Sequence, residues 1–277
     1  MILLTTTFNK IYGIPQEDTI FCQYKNIDHA QVEKIICFYE IDWELPKDSS
    51  LISDPGDYRI KDINQEFKKL LESDKFYLSL INKRPNFEEM FNFGNNFRKD
   101  ELFIFLNSDI YFPIWSNIEK INELDMTDKF IVLTRWNIMS ELSNKAIHQT
   151  YGKKITKNGI EYMTQWKNGC STDCWIFKTP FKFPKGIFTQ QLGVFGVDGV
   201  ANYLLKKFTK VYNPCLDIFS IHKHRFYKVN KYMYIHHEGK RYARHEWVTE
   251  KILNKGNKMD NVPFCYISDI IDDSKNI

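Results

Sequence analysis

The sequence predicts an α/β fold in which helices flank a mostly parallel, Rossmann-like central sheet. Apolar runs rich in β-branched and aromatic residues recur along the first half of the chain, which is typical of buried strands. Segments with helical patterning lie between several of these runs. Because strands that alternate with helices pair in parallel through helical crossovers, this order favours a parallel sheet.

The individual elements follow from the same patterns. Predicted strands lie at Ile2–Thr7, Lys34–Tyr39, Phe76–Leu80, Leu102–Leu106 and Phe130–Leu133. Predicted helices between them are Glu17–Asn26, Ile63–Leu71 and Phe87–Phe93. Beyond Trp136 the pattern loosens, and the predicted elements are a strand at Cys174–Phe177, a helix at Val197–Phe208 and a strand-like segment at Tyr212–Phe219.

Composition bounds the domain organisation and the partners. The 277 residues, 43% of them hydrophobic, are enough to bury one large core. No internal repeat, low-complexity linker or Pro/Gly-rich hinge divides them, so we expect one elaborated domain over residues 1–277. The net charge of +3 comes from 38 basic and 35 acidic residues spread along the whole chain. Nucleic acid is not an expected partner, because that recognition usually needs a concentrated basic face.

The N-terminus and the cysteines indicate the compartment. MILLTTTFNK has no basic lead, long apolar core or small-residue cleavage site, so we interpret it as a first strand and not as a signal peptide. No window approaches the roughly 18 uninterrupted apolar residues of a transmembrane segment. We therefore expect a cytoplasmic protein and leave peripheral membrane association open. The six cysteines are expected to be mostly reduced, and Cys170 and Cys174 lack a second pair at zinc-site spacing.

The stretch ELFIFLNSDIYFPIW interrupts an apolar strand with Asn107, Ser108 and Asp109. Ligands of open α/β sheets bind outside the carboxyl ends of the strands, where a carboxylate can coordinate a hard divalent cation beside a diphosphate. Asp109 fits that role. The alternative is a turn-forming Asn-Ser-Asp, which is common after strands.

Two other segments border predicted strands. Arg84, in KRPNF, comes soon after FYLSL, where a guanidinium can grip a phosphate or a nucleotide carbonyl; a solvated loop arginine is the alternative. Asp173, in GCSTDCWIF, lies where a loop would approach a bound sugar. We expect Trp175 to fill the core and not to stack on that sugar.

Two later segments carry further candidates. Asp198 lies in GVFGVDG before the helical run VANYLLKKF, and it is interpreted as a helix N-cap, as a carboxylate that removes a proton from an incoming hydroxyl, or as both. His222 and His224 alternate in IHKHR, so both can face one crevice, one of them as an imidazole ligand to a metal.

In this order the segments resemble glycosyltransferases of the GT-A fold, which use a nucleotide-sugar donor. KRPNFEEMF, FLNSDIYF and STDCWIF are also similar to a subgroup of small glycosyltransferases and glycosyltransferase-like proteins of microbes and large viruses. The resemblance runs from Ile2 to about His224. It implies a nucleotide-sugar-binding half, residues 1–135, and an acceptor-binding half with a C-terminal tail, residues 136–277. For a viral member, the expected location is the host cytoplasm.

The resemblance also implies roles for residues. By the family's motifs these are Asp109 as the metal-binding acid, Gly169 as the loop glycine, Asp198 as the helix-opening base, and His222 or His224 as the late metal ligand. Donor-binding residues are expected to be Thr5, Thr6, Arg84, Asn107, Ser108 and Gly169. Asn107 departs from the family pattern, since the fuller motif has an Asp there, and an amide oxygen coordinates a metal without adding charge. Asp173 is the competing base.

The implied reaction is transfer of a hexosyl or pentosyl group from a UDP- or GDP-sugar to a hydroxyl of a glycan or glycoconjugate. Mn²⁺ or Mg²⁺ would neutralise the departing diphosphate, and direct displacement would invert the anomeric centre. One rival is a sugar-nucleotide nucleotidyltransferase, which would carry a glycine-rich basic loop after its first strand, where TTTFNKIYGIP is a thin version. The other is a non-catalytic carbohydrate-binding protein, favoured by the aromatic content of 16%.

Overall fold

The computed structural model describes residues 1–7, 16–41, 43–141, 152–164, 169, 171–192, 196–223, 234–237, 240–243 and 258–275. Their strands form a seven-stranded sheet, a five-stranded sheet and a two-stranded hairpin. No helix within these ranges is long and apolar enough to cross a bilayer.

The seven-stranded sheet is the centre of the fold, with the strand order β11-β6-β10-β4-β1-β2-β3. Its strands are β1 (Ile2–Thr7), β2 (Lys34–Glu40), β3 (Phe76–Ile81), β4 (Leu102–Leu106), β6 (Lys129–Thr134), β10 (Thr172–Lys178) and β11 (Lys210–Tyr212). All pair in parallel except β10, which is antiparallel to both of its neighbours. The α/β fold with a mostly parallel sheet and the five strands predicted in the first half are therefore confirmed.

Helices cover both faces of this sheet. They are α1 (Gln16–Ile27), α2 (Gln65–Leu70), α3 (Phe87–Phe97), α4 (Val197–Leu205) and α5 (Ile267–Lys275). α2 begins later than predicted because Asn64 accepts the backbone N–H of Glu66 as its N-cap. α3 begins at a reciprocal capping box between Asn86 and Glu89.

Alternate side chains of the strands build two apolar layers. One layer joins the sheet to α1, α2 and α5, and it contains Leu3, Ile35, Ile104, Ile131 and Ile176. The other joins the sheet to α3 and α4, and it contains Leu4, Phe38, Phe105, Val132 and Trp175. Trp175 is 2% exposed and stacks on Phe105, with ring centroids 5.1 Å apart, so its predicted core role is confirmed.

The second sheet has the order β5-β12-β7-β9-β8. Its strands are β5 (Ile110–Tyr111), β7 (Trp136–Ile138), β8 (Lys154–Lys157), β9 (Ile160–Thr164) and β12 (Ile221–His222). The hairpin consists of β13 (Tyr234–His237) and β14 (Lys240–Ala243). Because β5 follows β4 and β7 follows β6 after short turns, this sheet lies directly beyond the carboxyl ends of the central strands.

The predicted strand at Tyr212–Phe219 is wrong. β11 ends at Tyr212, and the next residues form a turn in which the carbonyl of Pro214 accepts the backbone N–H groups of Asp217 and Ile218. Proline has no N–H to offer a sheet, which explains the break. The predicted helix at Val197–Phe208 ends earlier, at Leu205.

Strand order creates a crevice beside β1. The chain leaves β1 through α1 to β2 on one side, and it returns to place β4 on the other side. A reversal of this kind separates the loops that follow the two central strands and opens a ligand-binding crevice. Thr5 and Thr6 near the end of β1, and Asn107–Asp109 after β4, lie at this point.

Candidate functional site

Five ionisable side chains from distant parts of the chain meet at the carboxyl edge of the central sheet. They are Asp109, Arg135, Asp173, Asp198 and His222, and each of the three carboxyl groups is influenced electrostatically by at least two of the other four.

Asp109 forms one end of a buried polar chain. Its Oδ2 lies 2.9 Å from Nε2 of His222, and Nδ1 of His222 lies 3.1 Å from Oδ1 of Asn137. The backbone N–H of Lys223 donates to the carbonyl of Asp109 at 2.9 Å and fixes the two segments together. Burial alone would raise the pKa of Asp109, but the neighbouring His222 and, more weakly, Arg135 lower it below its usual value. Asp109 is thus a buried, ionised carboxylate.

Polar side chains of helix α1 hold the Asn107–Asp109 segment and the residues after it by hydrogen bonds. Gln23 Nε2 donates to the carbonyl of Ser108 at 3.3 Å, and the hydroxyl of Thr19 lies 3.5 Å from that of Ser108. The amide of Asn26 bonds the carbonyl of Ile110 and the N–H of Phe112. Sequence reasoning missed this role of α1. The available signal was polar residues at positions 19, 23 and 26, a helical spacing that places them on one face.

Asp173 bridges β4 and β6. Its Oδ1 accepts Nδ2 of Asn107 at 2.5 Å, and its Oδ2 lies 3.0 Å from Nη1 of Arg135. The contact with Asn107 follows from the antiparallel pairing of β10 with β4. Burial raises the pKa of Asp173 above its usual value, although Arg135 and His222 oppose that shift. Oδ1 of Asp173 is thus hydrogen-bonded, whereas Oδ2 is ion-paired with Arg135 but accepts no hydrogen bond of normal geometry within the described residues.

Asp198 lies in the first turn of α4. The N-cap is Gly196, which has a φ of 83° in the left-handed region where glycine is favoured, so the predicted N-cap position of Asp198 is wrong. Its carboxylate still accepts the backbone N–H of Gly199. Burial, followed by the charge of Asp173, raises the pKa of Asp198 to about 6. Asp198 is partly buried, and the side chains of Asp173 and Asp109 are 10% and 13% exposed.

Arg135 is a site residue that sequence reasoning missed. It occupies the single position between β6 and β7, and its positive charge lowers the pKa of Asp109, Asp173 and Asp198. The available signal resembled that for Asp109, namely a charged residue directly after the buried strand KFIVLT. The role of Arg135 could not be predicted because the carboxylates near it in the fold are remote in sequence.

The predicted donor-binding residues are distributed around the same edge. Thr5 and Thr6 are fully buried, and their hydroxyl oxygens have no hydrogen-bond partner within the described residues. Arg84 is buried, and its Nη1 donates to the carbonyl of Leu192 at 3.3 Å, close to the segment that leads into α4. Gly169 has a φ of 70°, and a Cβ there would come within 1.7 Å of the carbonyl oxygen of Val262, so close packing alone requires glycine.

Other predicted residues lie outside the described ranges. These are His224, the second expected histidine, and Cys170. The five cysteines that are described are free thiols, as expected for a reduced protein.

The residues at Asp109 fit part of a Mn²⁺ or Mg²⁺ site. Two adjacent ligand atoms of an octahedral ion, each about 2.1 Å from it, lie about 3 Å apart. The 2.9 Å between Asp109 Oδ2 and His222 Nε2 matches that spacing. Within the described residues, no three His, Cys, Asp or Glu side chains converge as metal ligands. A cation held by Asp109 and His222 would therefore need its remaining ligands from a substrate and from water.

No family model matches the chain, and no curated protein matches it. Solved structures do align. One is named as a glucose-1-phosphate thymidylyltransferase from Bacillus anthracis, at 11% identity over 76% of this chain and 85% of that one, with a TM-score of 0.39. Residues 1–349 of TarS from S. aureus align at 10% identity over 80% of this chain and 60% of that one, with a TM-score of 0.43.

A third aligned structure is the glycosyltransferase GlyE of Streptococcus pneumoniae, at 13% identity over 59% of this chain and 33% of that one, with a TM-score of 0.28. Alignments at these TM-scores carry no argument about this chain. The α/β fold and the carboxylate cluster are established by the strand order and the side-chain contacts of this chain itself.

Proposed function

We propose that the protein is a GT-A-type glycosyltransferase that moves a sugar from a nucleoside diphosphate sugar to an acceptor hydroxyl. The observation that carries the proposal is the grouping of Asp109, Asp173 and Asp198 at the carboxyl edge of the sheet. Buried carboxylates destabilise a fold unless cations or hydrogen bonds compensate them, so such a cluster favours a chemical role. A non-catalytic sugar-binding protein would not need these three acids together.

The donor is proposed to bind in the crevice between β1 and β4. Thr5 and Thr6 lie near the carboxyl end of β1 beside this crevice, and Arg84 follows β3 along the same edge. Ser108 is buried against α1. Its expected role is to fix the position of this segment, and not to bind the donor through its hydroxyl. UDP-sugars and GDP-sugars are the first candidates.

A divalent cation is proposed to lie at Asp109 and His222. The Nδ2 group of Asn107 is committed to Asp173, which leaves its amide oxygen as the part available to the donor or the cation. When bound, Mn²⁺ or Mg²⁺ supplies positive charge that stabilises the departing diphosphate. Cations with oxygen-rich sites and few protein ligands commonly complete their shell with substrate phosphates and water.

Asp198 is proposed as the general base. A base must have a free lone pair near the attacking hydroxyl and a pKa near the working pH. Burial raises the pKa of Asp198 to about 6, whereas Oδ1 of Asp173 is hydrogen-bonded to Asn107 and its Oδ2 is ion-paired with Arg135. Asp173 would instead position those two residues. A base opposite the departing diphosphate gives direct displacement and inversion of the anomeric centre.

Thermal-shift measurements with UDP and GDP, each with and without Mn²⁺, test the proposal. A ligand that binds only the native state raises stability by RT ln(1 + [L]/Kd), about 2.7 kcal/mol at 100 times Kd. We expect one nucleotide to raise the melting temperature, with a larger rise when Mn²⁺ is present. Absence of a response to both nucleotides would overturn the donor assignment.

The nucleotidyltransferase alternative is separated by its products. That enzyme would form a sugar nucleotide from a nucleoside triphosphate and a sugar 1-phosphate with release of pyrophosphate. The proposed enzyme would release a nucleoside diphosphate and would not respond to triphosphate plus sugar 1-phosphate. The glycan acceptor, a cytoplasmic location and peripheral membrane association belong to the same proposal.

A further inference from the structure

Strand β10 enters the central sheet through a β-bulge at Asp173. Thr172 pairs with Thr134 of β6. Cys174 pairs with the adjacent residue Leu133, which leaves Asp173 as an extra residue in β10. Successive side chains of a regular strand point to opposite faces, whereas here Thr172 contacts α4 and the charge of Asp173 also acts on α4. The bulge therefore directs two consecutive side chains toward this helix, as bulges next to active sites commonly do.

A buried hydrogen bond joins this bulge to α4. Nδ2 of Asn202 lies 3.0 Å from Oγ1 of Thr172, and the two residues are 1% and 0% exposed. A hydroxyl both donates and accepts, so this bond forms with either orientation of the Asn202 amide. Asn202 follows Asp198 by four positions, and residues four apart lie on the same face of a helix. The bond therefore fixes the face of α4 that carries Asp198 against the strand that carries Asp173.

The Asn202 amide does not serve stability in the way its neighbours do. The buried residues around it on α4 include Val197, Ala201 and Leu205, which belong to the apolar layer. Thr172 takes up one end of the amide, and the other end, Oδ1, has no hydrogen-bond partner within the described residues. Because a buried polar group without a partner destabilises a fold, an apolar side chain would suit this position better. The amide thus indicates a positional role.

The backbone that Asn202 contacts is fixed at both edges by the sheet. The carbonyl of Ser171 accepts the N–H of Arg135 at 3.2 Å, and the carbonyl of Asp173 accepts the N–H of Asn107 at 3.0 Å. Ser171 has a φ of 56°, in the left-handed region that residues other than glycine rarely adopt. Such a conformation persists only where the surroundings determine it. The bulge is therefore a rigid support, and Asn202 connects α4 to it.

The position of α4 matters because Asp198 and Asp173 interact electrostatically. The charged groups that act on Asp198 from the packed elements are Asp173 on β10 and Arg135 between β6 and β7. A further acid near α4, Asp260, is ion-paired with Lys206 at 2.6 Å. Burial raises the pKa of Asp198 to about 6, and the charge of Asp173 adds to that effect. Movement of α4 away from β10 would hydrate Asp198 and separate the two acids, so this pKa would fall.

We propose that Asn202 is a positioning residue, which holds α4 against the bulge of β10 through Thr172 and so fixes Asp198 beside Asp173. The inference rests on the proposed role of Asp198 as the general base. A base that is misplaced by about 1 Å can lower the rate of the chemical step by about 100-fold. Donor binding should change little, because the proposed donor crevice lies between β1 and β4.

The test uses variants that differ in one hydroxyl or one amide. Thr172→Val keeps the shape of the side chain without its hydroxyl, Thr172→Ser keeps a hydroxyl, and Asn202→Ala removes the other partner. Thr179→Val is the matched control. Thr179 is also buried, it directly follows β10 at the end away from Asp173, and its hydroxyl donates to the carbonyl of Arg98 at 2.5 Å.

The first measurement needs neither metal nor substrate. Carboxyl ¹³C chemical shifts followed against pH give the pKa of Asp198, and Asp198→Asn identifies its signal. We expect a pKa of about 6 in the wild type and in Thr179→Val. The value should be lower by at least about 1 in Thr172→Val and Asn202→Ala, and Thr172→Ser should recover most of the difference. Equal values in Thr172→Val and the wild type would overturn the inference, as would an equal decrease in Thr179→Val.

The second measurement separates this inference from the proposed function. Hydrolysis of UDP-glucose and of GDP-mannose, with Mn²⁺ present and water as the acceptor, is followed by release of the nucleoside diphosphate. We expect kcat to fall by about 10- to 100-fold in Thr172→Val and Asn202→Ala, with the KM of the donor within about threefold of the wild type.

Two outcomes distinguish the two claims. A wild type that hydrolyses neither donor but shows the pKa difference between the variants would contradict the proposed function and retain the positioning role of Asn202. A wild type that hydrolyses a donor, with the same kcat in Thr172→Val and Asn202→Ala, would refute the positioning role and leave the proposed function in place.

Discussion

The paired strands β4 and β10 have apolar contacts near their middle and polar contacts at the end that borders the site. Near the middle, Phe105 and Trp175 lie opposite each other and their rings stack. Two residues further along the same face, Asn107 and Asp173 join by a hydrogen bond of 2.5 Å. The aromatic pair removes apolar surface from water and stabilises the fold, whereas the polar pair must offset the desolvation of a carboxylate.

We infer that the apolar halves of β4 and β10 keep the site rigid. The polar half is paired but electrostatically strained, since burial raises the pKa of both Asp173 and Asp198. Changes at the polar end should therefore reduce activity more than stability, and changes in the apolar layer should do the reverse.

Replacing Asp109 by Ala should reduce transfer to below detection and weaken Mn²⁺-dependent nucleotide binding. The side chain supplies an anionic oxygen at the proposed cation position and none of the apolar core, so the variant should still fold, with a lower melting temperature because His222 loses its buried partner. Transfer assays and thermal shifts with nucleotide and Mn²⁺ measure the two effects. Asp62→Ala, at an exposed position, is the control. Unchanged metal-dependent binding in the Asp109 variant would remove this residue from the metal site.

Replacing Asp198 by Asn should lower the transfer rate by roughly two to four orders of magnitude while donor binding is nearly retained. The amide keeps the shape of the side chain but cannot take a proton from the acceptor. Initial rates at saturating donor, together with nucleotide affinity, measure the effect. Asp173→Asn is the matched comparison, and we expect it to raise the acceptor requirement more than it lowers the maximal rate. A dead Asp173 variant beside a normal Asp198 variant would reverse the assignment.

Replacing Phe91 by Ala should destabilise the protein by about 3 to 5 kcal/mol. Phe91 is fully buried on α3 and its ring packs against a group of aromatic side chains, namely Phe130, Phe177, Phe181, Phe183 and Phe188. The melting temperature should fall by roughly 10 °C. Phe208→Ala, at a position that is 36% exposed, should have a much smaller effect. Similar losses of melting temperature in both variants would show that the cavity left by Phe91→Ala is not the main cause of the loss.

The stability advantage of Asp198→Asn over the wild type should grow as the pH rises from 4 to 7. The pKa of Asp198 is about 6 in the folded state and about 3.9 in an unfolded chain. A raised pKa means that the folded state favours the protonated acid, so this contribution is present below pH 4 and is lost as the pH passes 6. The change should reach at most about 3 kcal/mol. Denaturant unfolding at several pH values measures it, and a pH-independent difference would contradict the assigned shift.

Replacing Asn86 by Ala should cost about 1 kcal/mol, because it removes the capping box of α3. In that box the amide oxygen of Asn86 accepts the N–H of Glu89 at 2.8 Å, and the carboxylate of Glu89 accepts the N–H of Asn86 at 3.0 Å. Asn86→Ser keeps an acceptor and should recover most of the loss. Chemical unfolding of the three proteins measures both steps, and an unaffected Ala variant would rule out a stabilising cap.

The local elements of the central sheet could be predicted from the amino-acid pattern. β1 and β4 have the predicted bounds, and β2, β3 and β6 differ from the predicted ones by one or two residues. Continuous apolar runs bounded by polar residues are a local signal, and local signals suffice to locate buried strands. The same signal placed Asn107–Asp109 at a strand end in the crevice.

Which side chains meet in this crevice depends on contacts between segments that are far apart in the sequence. His222 is 113 residues from Asp109, and Asp173 is 66 residues from Asn107. The first contact depends on β12 pairing with β5 and β7, and the second on β10 inserting antiparallel between β4 and β6. Strand partners are selected by packing over the whole domain and not by the residues of either strand, which is why the side chains that Arg135 and Asn137 contact could not be predicted along the chain.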